Sequence, residues 1–184
     1  MRAVATAIGT GAASLYRYVN NRDELVALMV DEVNGEFRLS TPTTHGWLNV
    51  MIDLADQARA IYRRHPWMVE ALDTTPVLGP NGCAYLDYAL AVLAPTRADG
   101  RTALEAVGVF NALVLMLCKQ EQNQRPTAHA QDAQAHTVAD QLAALTSTGQ
   151  YPHLAAALAD AAPTGDQFHR VLRRVLNGLL PSDN

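Results

Sequence analysis

The sequence predicts an all-α fold, and its composition, its periodicity and its lack of strand patterns support that prediction. Hydrophobic residues make up 49% of the 184 residues but aromatic residues only 6%, and alanine and leucine dominate. Apolar residues recur at helical spacing, and no run alternates strictly between apolar and polar residues. A chain of this length buries a sizeable core without disulfides.

The first part of the chain is predicted to contain three short helices. Residues 2–8 form the first and residues 12–19 the second, and Gly9 permits a sharp turn between them because glycine readily adopts positive φ. Asn21 is suited to cap a third helix, and Glu24 lies where a capping box places its acid. The apolar face expected on this third helix consists of Leu25, Leu28, Met29, Val33 and Phe37.

Residues 39–46 interrupt the helical pattern and are predicted to connect two domains, residues 1–40 and residues 45–184. Residues 125–136 are polar and carry only a weak pattern. Further helices are predicted over residues 47–64, 68–72, 83–93, 102–124, 138–145, 153–161 and 167–180.

The cysteines and the apolar runs bear on location. Cys83 and Cys118 lie in apolar stretches, and neither has a partner at metal-ligand spacing, which predicts reduced, buried thiols and a cytoplasmic protein. The longest unbroken apolar run, residues 112–118, is too short to span a bilayer, so no membrane segment is predicted.

The net charge of −4 is unevenly distributed. Residues 1–22 contain Arg2, Arg17 and Arg22 and no acidic residue, whereas the rest of the chain carries 11 basic and 18 acidic residues. A basic tip on an acidic body indicates a nucleic-acid contact at the tip, although a segment this short can acquire such a balance by chance.

The turn between the first two predicted helices has the geometry of a helix-turn-helix. In that motif the second helix enters the major groove, with its first residues near the bases and its neighbours at the phosphates. Here it begins with the small residues Ala12, Ala13 and Ser14, which let the backbone approach DNA. Leu15 and Val19, four residues apart, are expected to face inward.

Three larger polar side chains, Tyr16, Arg17 and Tyr18, are left around the exposed side of this second helix. Tyrosine hydroxyls donate to phosphates, and arginine donates to guanine or phosphate. The alternative for Tyr16 and Tyr18 is that they only pack against neighbouring helices.

Residues 4–33 read VATAIGTGAASLYRYVNNRDELVALMVDEV, and the specific combination within them is VA..IG.GA.SLYRYV.NRDEL. This run resembles the DNA-binding segment of the tetracycline-repressor (TetR) family of bacterial transcription regulators. The resemblance implies that Arg22 holds phosphate at the start of the third helix and that Arg2 lies against DNA. The implied DNA-binding set is Arg2, Ala12, Ala13, Ser14, Tyr16, Arg17, Tyr18 and Arg22.

The resemblance also implies a departure at the start of the chain. The family's DNA-binding domain has three helices, and Met1 falls where the second of them begins. The absent helix would cover Val4, Ile8 and Leu15, and leaving such side chains bare forfeits about 1.5–3 kcal/mol each. We therefore expect weak DNA binding, from a start assigned downstream of the true one, a truncated chain or a variant that has lost this activity.

Beyond residue 47 the resemblance is one of helix order and length, and it implies a bundle that binds a small ligand and dimerises through its last two long helices. Residues 106–118 contain one polar side chain, Asn111, and a helix that is apolar on all sides must be covered on all sides. We expect a homodimer, with an ordinary core helix in a monomer as the alternative. The predicted interface residues are Leu113, Leu117, Phe168, Val171, Leu172, Val175, Leu176 and Leu179.

A ligand cavity is expected between the helices at 47–64, 83–93 and 102–124. Asn111 must meet a backbone group, a water molecule, the partner chain or a ligand, because an unpaired buried amide costs about 1–3 kcal/mol. The expected ligand is a moderately hydrophobic small molecule with one or two hydrogen-bonding groups. The predicted lining is Tyr62, Trp67, Met68, Tyr85, Tyr88, Phe110, Asn111 and Met116, with core packing as the alternative for several of them.

The sequence contains no catalytic constellation. His129 and His136 lie seven residues apart without a carboxylate pair or a cysteine, and Asp53 and Asp56 are expected to be solvated. Phosphate loops, nucleophile elbows and zinc spacings are also missing, so no enzyme, no cofactor and no metal site is predicted. The predicted function is a bacterial ligand-responsive transcriptional regulator, by resemblance a repressor, that binds operator DNA as a homodimer. The alternative is a helical ligand-binding or dimerising protein that has lost DNA binding.

Overall fold

A computed structural model of the chain describes residues 1–40, 46–74, 78–124, 141–160 and 166–180. Every regular element assigned within these ranges is helical, which confirms the predicted all-α class. The predicted polar stretch at 125–136, with His129 and His136, lies outside the described residues. The elements are α1 (Arg2–Ala7), α2 (Ala12–Leu15), α3 (Arg22–Asn34), α4 (Trp47–Arg64), α5 (Trp67–Thr74), α6 (Pro80–Leu93), a 3₁₀ turn (Ala94–Thr96), α7 (Gly100–Gln124), α8 (described over 141–147), α9 (Pro152–Asp160) and α10 (Gln167–Leu179).

The second helix is shorter than predicted. α2 ends at Leu15, and the N–H groups of Arg17 and Tyr18 donate to carbonyls three residues earlier, at 3.2 and 3.0 Å, as in a tight turn. Aromatic and β-branched residues have lower helix propensity than alanine or leucine, and they fill positions 16, 18 and 19. Tyr16, Arg17 and Tyr18 therefore lie on a turn after the helix.

The start of α3 confirms the predicted cap. The Asn21 side chain accepts a hydrogen bond from the N–H of Glu24 at 2.8 Å. The predicted turn before α2 is also present, and Gly9 adopts φ +72° in it. The Glu24 carboxylate, however, accepts from the backbone N–H and the side-chain amide of Asn20, at 2.6 and 2.8 Å. The capping box thus closes one residue earlier than the sequence indicated.

The predicted inner face of α3 is partly wrong. Leu28 is 55% exposed and Met29 is 42% exposed, whereas Val30 is fully buried against α5 and α6. The helix packs through Val30 and Val33, and Phe37 just beyond the helix continues this apolar stripe. The neighbouring stripe, which contains Leu28 and Met29, is exposed. Both stripes have helical spacing, so periodicity alone does not separate them.

Two hydrophobic clusters form the body of the molecule. The larger joins α4, α6, α7 and α10 around Met51, Leu54 and Phe110. The smaller joins α3, α4 and α5 around Val30 and Met68. Because α3 packs on α5 and α6, the last helix of the N-terminal tip (α1 to α3) is also part of the body.

α10 uses its main apolar stripe inside the subunit. Phe168, Leu172 and Leu176 are buried in the larger cluster, so their predicted place at a dimer interface is wrong. A stripe at this spacing serves an intrachain core and an interface equally well, which is why the sequence did not separate them. The Asp56 side chain is 46% exposed, as the prediction of a solvated residue requires, and its Oδ1 also lies 2.8 Å from His169 Nε2, which ties α4 to α10.

Other predicted interface residues on α7 and α10 retain exposed surface. Leu179 is exposed, and Leu113, Leu117, Val171 and Val175 are half-buried. Their role in dimerisation stays a prediction.

The two cysteines differ in exposure. Cys118 is buried as predicted, whereas Cys83 is exposed, so its predicted burial is wrong.

α7 is the one described helix that is long and apolar enough to cross a membrane, over Gly100–Asn123 with a mean hydropathy of 1.6. The expectation of no membrane segment rested on unbroken apolar runs, whereas this criterion averages hydropathy over a longer window. A core helix of a folded bundle passes the same test, and α7 packs against α4, α5, α6 and α10. Its length and composition are weak evidence for a membrane span.

Candidate ligand cavity and nucleic-acid interface

A cavity of about 380 Å³ lies between α3, α4, α5, α6 and α7. Ligand sites commonly have volumes of roughly 300–1,000 Å³ and mostly apolar walls with a few polar groups. This cavity has that character, and none of the described residues that line it is charged. They are Asn34, Phe37, Ala58, Tyr62, Leu72, Leu78, Gly82, Tyr85, Leu86, Asn111, Ala112, Val114 and Leu115.

The polar groups of the cavity centre on Tyr85 and Asn111. The Tyr85 hydroxyl donates to Asn111 Oδ1 at 2.7 Å, so the amide has a partner within its own chain. Burial raises the pKa of Tyr85, with a further contribution from nearby Tyr62, and burial likewise raises the pKa of Tyr62. Both phenols therefore remain neutral donors.

The structure brings three of the eight predicted lining residues together, Tyr62, Tyr85 and Asn111. The other five do not line this cavity. Phe110 and Met68 are fully buried in the two clusters, and Trp67 packs against the smaller one. Met116 is 48% exposed, and Tyr88 lines a separate polar cavity of about 80 Å³. Adjacent positions on a helix point about 100° apart, so proximity in sequence to Asn111 was a poor guide.

Sequence reasoning missed the contribution of α3. Asn34, the last residue of this helix, and Phe37, three residues beyond it, line the cavity, and the Phe37 and Tyr85 ring centroids are 4.6 Å apart. These residues were assigned to the DNA-binding tip, and no local pattern indicates that they face α6. The cavity and the tip consequently share a helix.

A buried carboxylate joins α3 to the start of α6. Asp31 accepts from the backbone N–H groups of Gly82 at 2.9 Å and Asn81 at 3.3 Å, and the Asn81 amide donates to the Asp31 carbonyl at 3.0 Å. Gly79, the N-cap of α6, has no side chain to satisfy these donors. Asp31 supplies the missing acceptor and places a negative charge at the positive end of the α6 dipole.

A second polar contact lies beyond the end of α3. Glu36 binds Arg64, and its Oε1 lies 2.6 Å from His65 Nε2. The hydrogen bond from Arg64, followed by that from His65, holds the pKa of Glu36 below its usual value. The segment after α3 is therefore tied to the end of α4.

The tip presents its predicted DNA-binding residues to solvent. Tyr18 is 79% exposed, and Tyr16 and Arg17 are also exposed, so packing within the described chain does not account for them. Arg17 Nη2 donates to Ser14 Oγ at 3.2 Å, which directs the guanidinium over the start of α2. Arg2, Ala13 and Arg22 are exposed as well, and Ser14 is half-buried. Their contacts with DNA stay predictions.

The tip has a small core of its own. Leu15 and Val19 are buried with Ala5, as the inward-facing pair was predicted to be. Leu15 was also expected to be left uncovered, and that expectation is wrong because Met1 and Leu25 pack against this cluster. Val4 and Ile8 are exposed within the described residues.

Residues 40–182 match the family described as "Tetracyclin repressor-like, C-terminal domain". A curated relative, the HTH-type transcriptional repressor DrrR1 of Streptomyces coeruleorubidus, is 29% identical over 185 residues, which cover 97% of this chain and 68% of that protein. An HTH-type transcriptional regulator of Saccharopolyspora erythraea is 34% identical over 113 residues, or 60% of this chain and 48% of that protein.

The fold has solved counterparts. The TetR family protein ActR of Streptomyces coelicolor, in complex with actinorhodin, superposes with a TM-score of 0.80 at 25% identity, over 97% of this chain and 85% of that one. ActR in complex with (S)-DNPA gives the same TM-score. The family match covers most of the chain, and both relatives named above are transcriptional regulators. The chain therefore belongs to the tetracycline-repressor (TetR) family of ligand-responsive transcriptional regulators.

Proposed function

We propose that this regulator binds a small aromatic effector in the cavity between α3 and α7 and that the effector changes the affinity of the tip for operator DNA. It acts in the cytoplasm as a homodimer, with one tip from each subunit on the DNA. The match to repressors favours repression that the effector relieves. ActR, which is similar in fold, is described in complex with actinorhodin, which favours a ligand of the same kind.

The observation that carries this proposal is the double role of α3. The first helical turn of α3 comes shortly after Tyr16, Arg17 and Tyr18, the residues proposed to contact DNA. The last helical turn of α3 contributes Asn34 to the cavity wall. A ligand can change an equilibrium only if it binds one conformation better than the other. A ligand against Asn34 and Phe37 favours one position of α3, and α3 carries the tip.

The dimer is supported by apolar surface that one subunit does not hide. Val109 and Met116 on α7 are exposed, and so is Leu179 on α10, the helix that packs against α7. Stable homodimer interfaces bury more than about 2,000 Å² in total and are largely apolar. We expect these helices to meet their copies about a two-fold axis.

Thermal-shift and DNA-binding measurements with actinorhodin as the probe test the proposal. We expect actinorhodin to raise the melting temperature and to lower the affinity for a duplex selected by the protein from a random pool. In the Asn111→Leu variant both effects should shrink, whereas Met116→Leu, outside the cavity, should behave like the parent chain. If aromatic and polyketide-like compounds, actinorhodin included, change neither quantity, the proposal is wrong.

A further inference from the structure

Two of the residues that line the cavity mark its open end. Leu78 is 63% exposed and Ala112 is also exposed, whereas the other described lining residues are buried or half-buried. A side chain that contacts both the cavity and the solvent lies where the two meet. The mouth of the cavity therefore lies between the residues that precede α6 and the middle of α7.

Leu78 forms the α6 side of the mouth. It lies outside the helix, immediately before Gly79, the N-cap of α6. Its Cδ1 atom is 3.5 Å from the position that a Cβ would take at Gly82, a buried residue of the cavity wall. The end of the Leu78 side chain thus lies over the wall, while most of its surface faces solvent. A ligand that covers this surface gains free energy from burying it.

Ala112 forms the α7 side of the mouth. Its neighbours Asn111 and Leu115 also line the cavity but are half-buried, so Ala112 lies at the outer edge. The methyl side chain is small and leaves room for a molecule to pass from solvent into the cavity. Because both mouth residues are apolar, a hydrophobic molecule leaves water progressively as it passes them, which is favourable.

From these positions we infer that the effector enters and leaves the cavity between Leu78 and Ala112, and that Leu78 covers the bound effector and slows its release. The inference rests on the proposed function, since it assigns the route into the same cavity. Leu78 determines how long the effector stays bound, and the small side chain of Ala112 determines how fast it gains access.

Stopped-flow quenching of tryptophan fluorescence by actinorhodin measures the association and dissociation rates of the full chain. Leu78→Ala removes most of the side chain at the mouth. We expect the dissociation rate to rise about 3- to 20-fold, the effect of no longer burying the exposed part of a leucine. The melting temperature of the ligand-free variant should be unchanged, because Leu78 is exposed in the free protein. A purely structural role would lower the melting temperature instead.

Ala112→Trp narrows the mouth from the other side. An obstacle at the entrance raises the barrier to entry and exit alike, so both rates should fall in parallel and the dissociation constant should stay within about threefold of the parent value. Leu104 supplies the matched controls, because it is 56% exposed on α7 and does not line this cavity. Leu104→Ala and Leu104→Trp should leave both rates unchanged.

The results separate the route from the proposed function. Release of actinorhodin at the parent rate from Leu78→Ala overturns the role of Leu78, and parent rates in Ala112→Trp overturn the route. Equal slowing by Leu104→Trp also overturns the route, as does faster association when the protein is diluted to monomers, because the partner chain would then cover the mouth. All of these results leave the cavity as a ligand site. If actinorhodin and other aromatic compounds do not bind the parent chain at all, the proposed function fails together with the inference.

Discussion

Replacing Asp31 with alanine removes the acceptor that holds α6 against α3. The carboxylate accepts two backbone N–H groups at 2.9 and 3.3 Å, and it lies in a buried site where water does not replace it freely. Loss of a helix cap costs about 0.5–2 kcal/mol, and hydrogen bonds to a charged group are worth about 1.5–3 kcal/mol. Because burying the carboxylate also carries a desolvation cost, we expect a net loss of about 2–3 kcal/mol.

Urea unfolding followed by circular dichroism measures this loss. Asp31→Ala should lower the midpoint at an unchanged slope, since the slope reports the surface exposed on unfolding. Asp31→Asn keeps one acceptor oxygen and should lower the free energy of unfolding by only about half as much. If Asp31→Ala unfolds within about 0.5 kcal/mol of the parent chain, the carboxylate does not cap α6 in solution.

Gly79 supplies an independent check of the same contact. A Cβ built there would lie 2.2 Å from Asp31 Cγ, closer than real contacts allow, so Gly79→Ala must separate the carboxylate from α6. Gly100 at the start of α7 is the matched control, since a Cβ there meets nothing within 4 Å. Gly100→Ala should be neutral or stabilising by up to about 1 kcal/mol.

The double variant decides whether both changes break one contact. Because Gly79→Ala and Asp31→Ala remove the same interaction, their combined effect should fall well short of the sum of the two. Additive losses, or a Gly79→Ala variant as stable as Gly100→Ala, would contradict the geometry.

The remaining predictions concern α10, the tip and the loss of stability at low pH. Leu172→Glu should unfold the subunit because it buries a charge in the core, whereas Val175→Glu, half-buried on the same helix, should give a folded monomer by light scattering. Arg17→Ala should weaken DNA binding and flatten its salt dependence in anisotropy titrations, by one released counterion. Hydrogen bonds from Arg59 and then from Arg63 lower the pKa of Glu121. The contribution of Glu121 to the free energy of unfolding is therefore present above its unfolded-state pKa and is lost as the pH falls through its folded-state pKa. Glu121→Gln should remove that part of the acid dependence of the melting temperature.

The sequence predicted local features well and long-range pairings poorly. The bounds of α4 agree with the prediction of 47–64, and the Asn21 cap was found because both depend on residues within one or two turns. The role of Asp31 was not predicted, since its partners are 50 and 51 positions away in sequence. Asn34 was missed as a cavity residue for the same reason.

The strength of the α3–α6 junction limits how strongly an effector can act on DNA binding. Coupling between two sites in one protein is typically about 1–3 kcal/mol, and a 100-fold change in affinity corresponds to about 2.7 kcal/mol. If the contacts between α3 and α6 were weaker than this coupling free energy, ligand binding would separate α6 from α3 instead of moving the tip. The Asp31 cap is worth about the same amount by the estimate above, and Glu36 adds a second tie from the end of α3 to α4. The contacts that join cavity and tip are thus of the magnitude that an effector-controlled regulator needs.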